Sequence, residues 1–269
     1  MRLWPHLISA PKHFVMSFAK RFGSSAALLA LLFPVWELAV RLWDIPKYIL
    51  PGPLAIGTLL YQREVRELLW EHTQITLLET ACGLLSALLL ALLLCLLMER
   101  FAFLHRSIFP LLVLSQTLPV IVIAPMLMIV LGFGMVTKIT VITLYCFFPI
   151  ATTFSSGLRS LDPDYRTLLR SFGAGFWQIM AKVQFRHALP GLFAGLRVAA
   201  TYSVSGAVLS EFFGSSKGLG IYMRSAFAGA RTDLLFLISF IIVFSSICLV
   251  AIVGVAERLL CRHQLDLRR

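Results

Sequence analysis

Residues 74–98 read QITLLETACGLLSALLLALLLCLLM, a run of leucine and alanine interrupted by one acid, Glu79, and by no base. About 20 apolar residues in a helix cross the hydrocarbon of a bilayer, and leucine and alanine are strong helix formers. This stretch therefore predicts a spanning helix. Five further runs of comparable length lie outward from it, at about 25–42, 108–131, 137–158, 192–213 and 234–256. The expectation is an all-α integral membrane protein with six transmembrane helices.

Composition agrees. Of 269 residues 59% are apolar and 14% charged, with a mean hydropathy of +0.87, against about 45–50% apolar and about 25% charged in soluble domains. A net charge of +11 could suggest nucleic acid, but the bases fall in ones and twos between apolar runs, as in a positive-inside membrane protein. No nucleic-acid partner is expected. Cys82, Cys95, Cys146, Cys248 and Cys261 show no paired spacing, and four sit inside apolar runs, so they read as packing residues without a metal or disulfide framework.

Six crossings put four segments on one side: the N-terminus, the turn at Arg100 and Arg106, the connection 159–190, and the tail. Those segments carry fifteen Lys and Arg, against eight on the opposite side from Arg41 to Arg231, Lys138 among them. The positive-inside rule places both termini in the cytoplasm. The basic start resembles a signal-peptide n-region, but no small-residue cleavage site follows, so a retained first span is expected. The chain divides into a cytoplasmic segment 1–24, a six-span domain 25–256 and a basic cytoplasmic tail 257–269.

Between the first two spans, Pro51-Gly52-Pro53 marks a turn before an amphipathic stretch. Leu54, Leu59, Leu60, Val65, Leu68 and Leu69 can share one side of a helix and Gln62, Arg63, Glu64, Arg66 and Glu67 the other. It reads as an interfacial helix or a plain re-entry helix. In the third span Pro119 and Pro125 each remove a backbone hydrogen bond and predict bends, which line cavities in some transporters and serve packing in other membrane helices.

The connection 159–190, RSLDPDYRTLLRSFGAGFWQIMAKVQFRHALP, is too long for a hairpin. Asp162 predicts an N-cap before Pro163, helix formers run to Phe172, Gly173 breaks them, and a second amphipathic piece follows through Trp177, Ile179, Met180 and Val183. Two short helices with apolar and basic positions outside the bilayer suit either a cytoplasmic partner or anionic lipid.

The run 173–197, GAGFWQIMAKVQFRHALPGLFAGLR, resembles the cytoplasmic loop of permease subunits of binding-protein-dependent ABC importers. That consensus is E-A-A, three residues, Gly, nine residues, Ile, one residue, Leu-Pro. Gly173 matches the glycine and Val183 the isoleucine, whereas Thr167, Leu168 and Leu169 replace E-A-A and Phe185-Arg186 replace Leu-Pro; Ala188-Leu189-Pro190 is similar to a second, persisting Leu-Pro. LPGP at 50–53, SQTLPVIVIAPMLMIVLGFGMVTKI at 115–139, FFPI at 147–150, GLRSLDP at 157–163 and SEFFGSSKGLGIYM at 210–223 extend the similarity to the nitrate, sulfonate, taurine and thiamine-precursor branch.

The resemblance implies the type-I importer architecture in a bacterial inner membrane: a homodimer of six-span subunits, two ATPase subunits on the cytoplasmic loops, and an extracytoplasmic substrate-binding protein on the other face. It implies a coupling loop built on Asp162, Arg170, Gly173, Ala174, Trp177, Val183, Leu189 and Pro190, and a binding-protein dock at Gly218 and Gly220. The chain carries no G-x-x-x-x-G-K-[ST] run, so ATP and Mg are expected on the partner ATPase, with no cofactor or metal in this chain.

Ionisable residues within spans default to functional hypotheses. Glu37 has Arg41 at i+4 as a partner. Glu79 reads as a helix contact or a gate, and Arg197 as reaching headgroups or capping the loop. Glu211 follows Tyr202, Ser205, Gly206 and Ser210; one reading sets Tyr202, Ser205 and Glu211 along a translocation path with Gln116, Thr117, Pro119 and Pro125, the other assigns helix packing.

A membrane-embedded enzyme would need a base, a nucleophile or a metal set at depth, yet all six histidines fall at interfaces or outside the spans and no Asp lies in any span. A secondary carrier would show an internal repeat, and none is visible. A path of Ser, Thr, Gln and Tyr suits a small polar solute. The segment ATYSVSGAVLSEFFGSSKGLG at 200–220 is similar to permeases for hydroxymethylpyrimidine-type thiamine precursors, with aliphatic sulfonate, taurine or nitrate as the alternative.

Overall fold

A computed structural model describes residues 31–117 and 119–261. The expected N-terminal segment 1–24, the start of the first span and the last eight residues of the tail lie outside them. The described residues are mostly helical, in chain order α1 (31–42), α2 (Pro53–Thr58), α3 (Arg63–Arg100), α4 (Ala102–Ser115), α5 (Val120–Leu131), α6 (Met135–Arg159), α7 (Pro163–Ser171), α8 (Phe176–Ile179), α9 (Phe185–Gly214), α10 (Leu219–Ala228) and α11 (Thr232–Leu260).

Four of the helical stretches are long and apolar enough to cross a membrane: α3, α6, the continuous run Phe176–Gly214 and α11. α3 has 38 residues and measures about 57 Å, nearly twice the hydrocarbon thickness, so its charged first turns project beyond the apolar part. α4 and α5 are each too short to cross alone. They follow one another from the end of the molecule that holds α7 to the end that holds α10.

The core is the packing of α3, α6 and α9, closed on one side by α11. Ala87, Ala91, Ile150, Ala151, Phe154, Ala199 and Ala200 are fully buried there. Small residues let the backbones approach: a Cβ on Gly195 of α9 would sit 2.7 Å from the Pro149 carbonyl oxygen of α6. The outward faces stay apolar, with Leu85, Leu89 and Leu93 on α3 and Phe244, Ile247 and Ile252 on α11 all exposed. A bilayer is the solvent that accepts such surfaces.

Three expectations are corrected. The stretch 54–69 is not one interfacial helix: α2 gives way to a 3-10 turn, Leu59–Tyr61, Gln62 is extended with ψ 117, and α3 starts at Arg63. Leu59, Val65 and Leu69 are buried against α10 and α11, so their side faces protein. The third span is not a bent helix but a broken one. α4 ends with Gln116 at its C-cap and α5 resumes after Pro119, whose ψ of 124 is extended, while Pro110 and Pro125 remain inside helices.

The second helix of the 159–190 connection is not separate either. From Phe176 it passes through one π segment, Met180–Gln184, into α9, because no breaker intervenes and Ile179 and Met180 are drawn into the core.

Candidate functional site

Three regions carry polar or exposed features that packing of the bundle does not require. The first is the surface of α7 and α8. Asp162 caps α7, its Oδ1 accepting from the Asp164 N–H at 2.8 Å, with Pro163 in the first turn. Gly173 then takes φ +82, a left-handed conformation open to glycine. No residue of α7 is buried. Tyr165, Leu168, Phe172 and Trp177 are exposed beside the exposed Arg170, so apolar and basic groups share one face.

Of the residues predicted for this loop, Asp162, Arg170, Gly173 and Trp177 lie on that exposed face. Ala174, Val183, Leu189 and Pro190 are half-buried.

The loop is held by a residue that sequence reasoning did not single out. Glu99, near the end of α3, accepts from Arg166 Nη1 of α7 and from Gln184 Nε2, each at 2.7 Å, with Arg159 at 3.7 Å. Arg166 and Gln184 also donate to the Leu158 carbonyl at 2.7 and 3.0 Å. The Arg100 guanidinium lies 5.3 Å from the Phe176 ring centroid and 5.4 Å from that of Phe101. α3, α6, α7 and the start of α9 thus meet at one carboxylate.

The second region is a groove of about 280 Å³ between the α4–α5 break, α6 and α9. It brings together Gln116 and Tyr202, which the sequence placed on one path, with Tyr145, which it did not. The Tyr145 and Tyr202 rings stack with centroids 5.1 Å apart and 25° between planes. Ser205 faces a neighbouring hollow with Ile121 and Phe212, Thr117 donates to the Leu114 carbonyl at 2.7 Å, Pro119 is exposed at the break, and Pro125 is half-buried in α5.

The third region is a buried polar network where the turn 215–218 and α10 press on α3. Glu211 of α9 is fully buried, and both its oxygens are used: Thr76 Oγ1 donates to Oε1 at 2.6 Å and the Gly220 N–H to Oε2 at 2.7 Å. The Leu219 N–H donates to Thr76 Oγ1 at 2.8 Å and the Gly218 N–H to His72 Nδ1 at 2.8 Å, with His72 stacked on Tyr222.

Lys138 of α6, counted by sequence among the bases of the outer side, is buried, and its Nζ donates to Glu79 Oε1 at 2.6 Å and to Ser215 Oγ at 2.7 Å. Lys217 reaches Glu71 at 2.6 Å.

The sequence left Glu211 either on a path with Tyr202 and Ser205 or in helix packing; here it is a fully buried carboxylate with both oxygens filled. Gly218 and Gly220 are buried too. Gly218 has φ +122, and a Cβ there would collide with the Glu211 carboxyl; a Cβ on Gly220 would lie 2.7 Å from Glu211 Cβ. The exposed residues of the turn are Ser216 and Lys217.

Glu37 and Arg197, the other charges weighed within the predicted spans, also have partners. Glu37 accepts from Arg41 Nε at 2.8 Å, as the i+4 spacing predicts, and also from the Leu54 N–H at 3.1 Å. Arg197 pairs with Glu257 of α11 at 2.8 Å, a partner the sequence did not suggest. Among the described residues no His, Cys, Asp or Glu group is assembled as a metal site.

Comparison with known proteins follows the same lines. The family model described as binding-protein-dependent transport system inner membrane component matches residues 68–264. The chain is 37% identical over 222 residues to a probable ABC transporter permease protein of Haemophilus influenzae, covering 82% of this chain and 90% of that one. It is 34% identical over 195 residues to the formylaminopyrimidine transport permease protein ThiX of Halalkalibacterium halodurans, covering 72% and 77%. It is 32% identical over 236 residues to the riboflavin transport system permease protein RibX of Chloroflexus aurantiacus, covering 88% of each.

Among solved structures, an inward-facing conformation of the MetNI methionine ABC transporter shares the fold, with a TM-score of 0.52 at 20% identity over 71% of this chain and 95% of that one. The chain belongs to the binding-protein-dependent transport system inner membrane component family and is a multi-pass, non-catalytic permease subunit of an ABC importer, for which separate ATPase subunits hydrolyse ATP.

Proposed function

We propose that the chain forms, with a second copy of itself, the membrane pathway of an ATP-driven importer for a small polar solute. The observation that carries this reading is the face of α7 and α8, where Tyr165, Leu168, Phe172 and Trp177 stand exposed beside Arg170 on a turn made by Gly173. Large apolar side chains exposed on and beside a short helix that has no buried residue call for a partner, and an ATPase subunit is the partner this family uses. Lys and Arg gather at that end, which supports placing it and both termini in the cytoplasm.

In this reading the binding protein docks at the opposite end, on the exposed Ser216–Lys217 turn that Gly218 and Gly220 shape. Gln116, Thr117, Pro119, Pro125, Tyr202 and Ser205 border the path, and Glu211 fixes its rim. ATP-driven closure of the partners moves the loop around Gly173, and Glu99 passes that motion to α3, so the path opens to one side at a time. For the solute we favour a hydroxymethylpyrimidine-type thiamine precursor, supported by the similarity to a formylaminopyrimidine transport permease.

The test is ATPase stimulation of the reconstituted importer, with its binding protein, by pyrimidine thiamine precursors, taurine, alkanesulfonates and nitrate. Stimulation by the pyrimidine supports both levels of the reading. Stimulation by an anion keeps the importer and changes its solute, and failure to assemble with ATPase subunits overturns the importer.

A further inference from the structure

The groove between the α4–α5 break, α6 and α9 has a chemistry of its own. Its walls combine apolar side chains, Val120, Ile123 and Val198 among them, with three uncharged polar ones, Gln116, Tyr145 and Tyr202. The two phenol rings stack on one another, and Tyr202, 42% exposed, offers its ring to the groove. Among the described residues, neither phenol oxygen nor the Gln116 side-chain amide is engaged in a hydrogen bond.

A flat aromatic platform attracts a planar π system. A primary amide offers a donor and an acceptor side by side, which pairs in bidentate fashion with an amino group adjacent to a ring nitrogen. The lining holds no cationic side chain to offset desolvation of a sulfonate or nitrate.

We infer that this groove is a solute-binding station in which the permease itself selects uncharged, planar nitrogen heterocycles, Tyr145 and Tyr202 forming the stacking platform and Gln116 reading the amino-substituted edge. The inference rests on the importer reading and deepens it. Selectivity then resides partly in this chain and not wholly in the binding protein. The position suits the role, since Gln116 is the exposed C-cap of α4, where α4 and α5 are interrupted.

The test uses the complete importer in proteoliposomes, with 4-amino-5-hydroxymethyl-2-methylpyrimidine and taurine as probes. Wild type is expected to accumulate the pyrimidine. Tyr202→Leu and Tyr145→Leu are expected to reduce that uptake about ten-fold, as loss of one base–aromatic stack does, while Tyr202→Phe retains more than Tyr202→Leu. Co-purification with the ATPase subunits checks assembly of each variant.

Gln116→Leu, at an exposed position, keeps the question answerable where a tyrosine variant does not assemble, and a loss of about ten-fold is expected there too, as for one lost bidentate pair. Wild-type pyrimidine uptake in the assembled Leu variants, or ATP-dependent uptake of taurine without pyrimidine, overturns the station and leaves the importer standing. Absence of ATP-dependent uptake together with failure to bind ATPase subunits removes both.

Discussion

Lys138 of α6 and Glu79 of α3 meet as an ion pair 2.6 Å long within the protein, 59 residues apart in sequence, and Lys138 also holds Ser215 at the turn before α10. The side chains are 10% and 4% exposed, so each depends on the other for charge compensation. The pair joins two core helices to the turn that shapes one end of the molecule.

Removing one partner leaves the other charge buried, which costs about 3–5 kcal/mol, whereas apolar replacement of both is often near neutral. Lys138→Met and Glu79→Leu are each expected to lower thermal stability in detergent, and the double variant to recover much of the loss. A double-mutant cycle on thermal unfolding measures this; additive losses would show that the pair does not stabilise the fold.

Glu211 accepts two hydrogen bonds, one on each oxygen. In Glu211→Gln one oxygen becomes an amide nitrogen, a donor facing either Thr76 or the Gly220 N–H. The expected cost is about 1–3 kcal/mol for a buried donor left unpaired. Uptake should fall while binding of the ATPase subunits persists, because the change lies at the end opposite α7. Wild-type uptake across pH would reduce Glu211 to a packing role.

Gly173 has φ +82, a region costly for a side chain, above all a β-branched one. Gly173→Val is expected to insert into the membrane normally and to abolish substrate-stimulated ATPase activity of the reconstituted importer. Normal stimulation in this variant would remove the docking assignment from α7 and α8.

Glu99 gathers Arg166, Gln184 and Arg159. Glu99→Gln keeps the shape and removes the charge, and loosening of α7 from α3 is expected to leave ATP hydrolysis running while uptake falls several-fold. The measurement is the ratio of solute accumulated to ATP hydrolysed. An unchanged ratio would show that the carboxylate is not a mechanical link.

The neighbourhood of each sequence signal explains which parts of the site were legible. The Asp162 cap, the break at Gly173 and the Glu37–Arg41 pair involve residues at most four positions apart, where helix geometry alone brings partners together. Gln116 and Tyr202 attracted notice as polar residues in apolar runs, and they border the same groove. Tyr145, Thr76 and Glu99 did not, because each derives its meaning from a partner at least 57 positions away.

What the sequence determined by itself is the solvent and the class of fold. Apolar runs long enough to cross a bilayer and too few charges to coat a soluble surface leave helices in a membrane as the arrangement that satisfies every backbone polar group internally. Only the tertiary structure decided where the charges within those runs end up. Lys138 lies in the interior because Glu79 meets it there, and Glu211 lies there because Thr76 and the Gly220 amide enclose it. A buried charge settles where partners converge, and convergence of α3, α6, α9 and α10 is a property of packing that no single run of residues encodes.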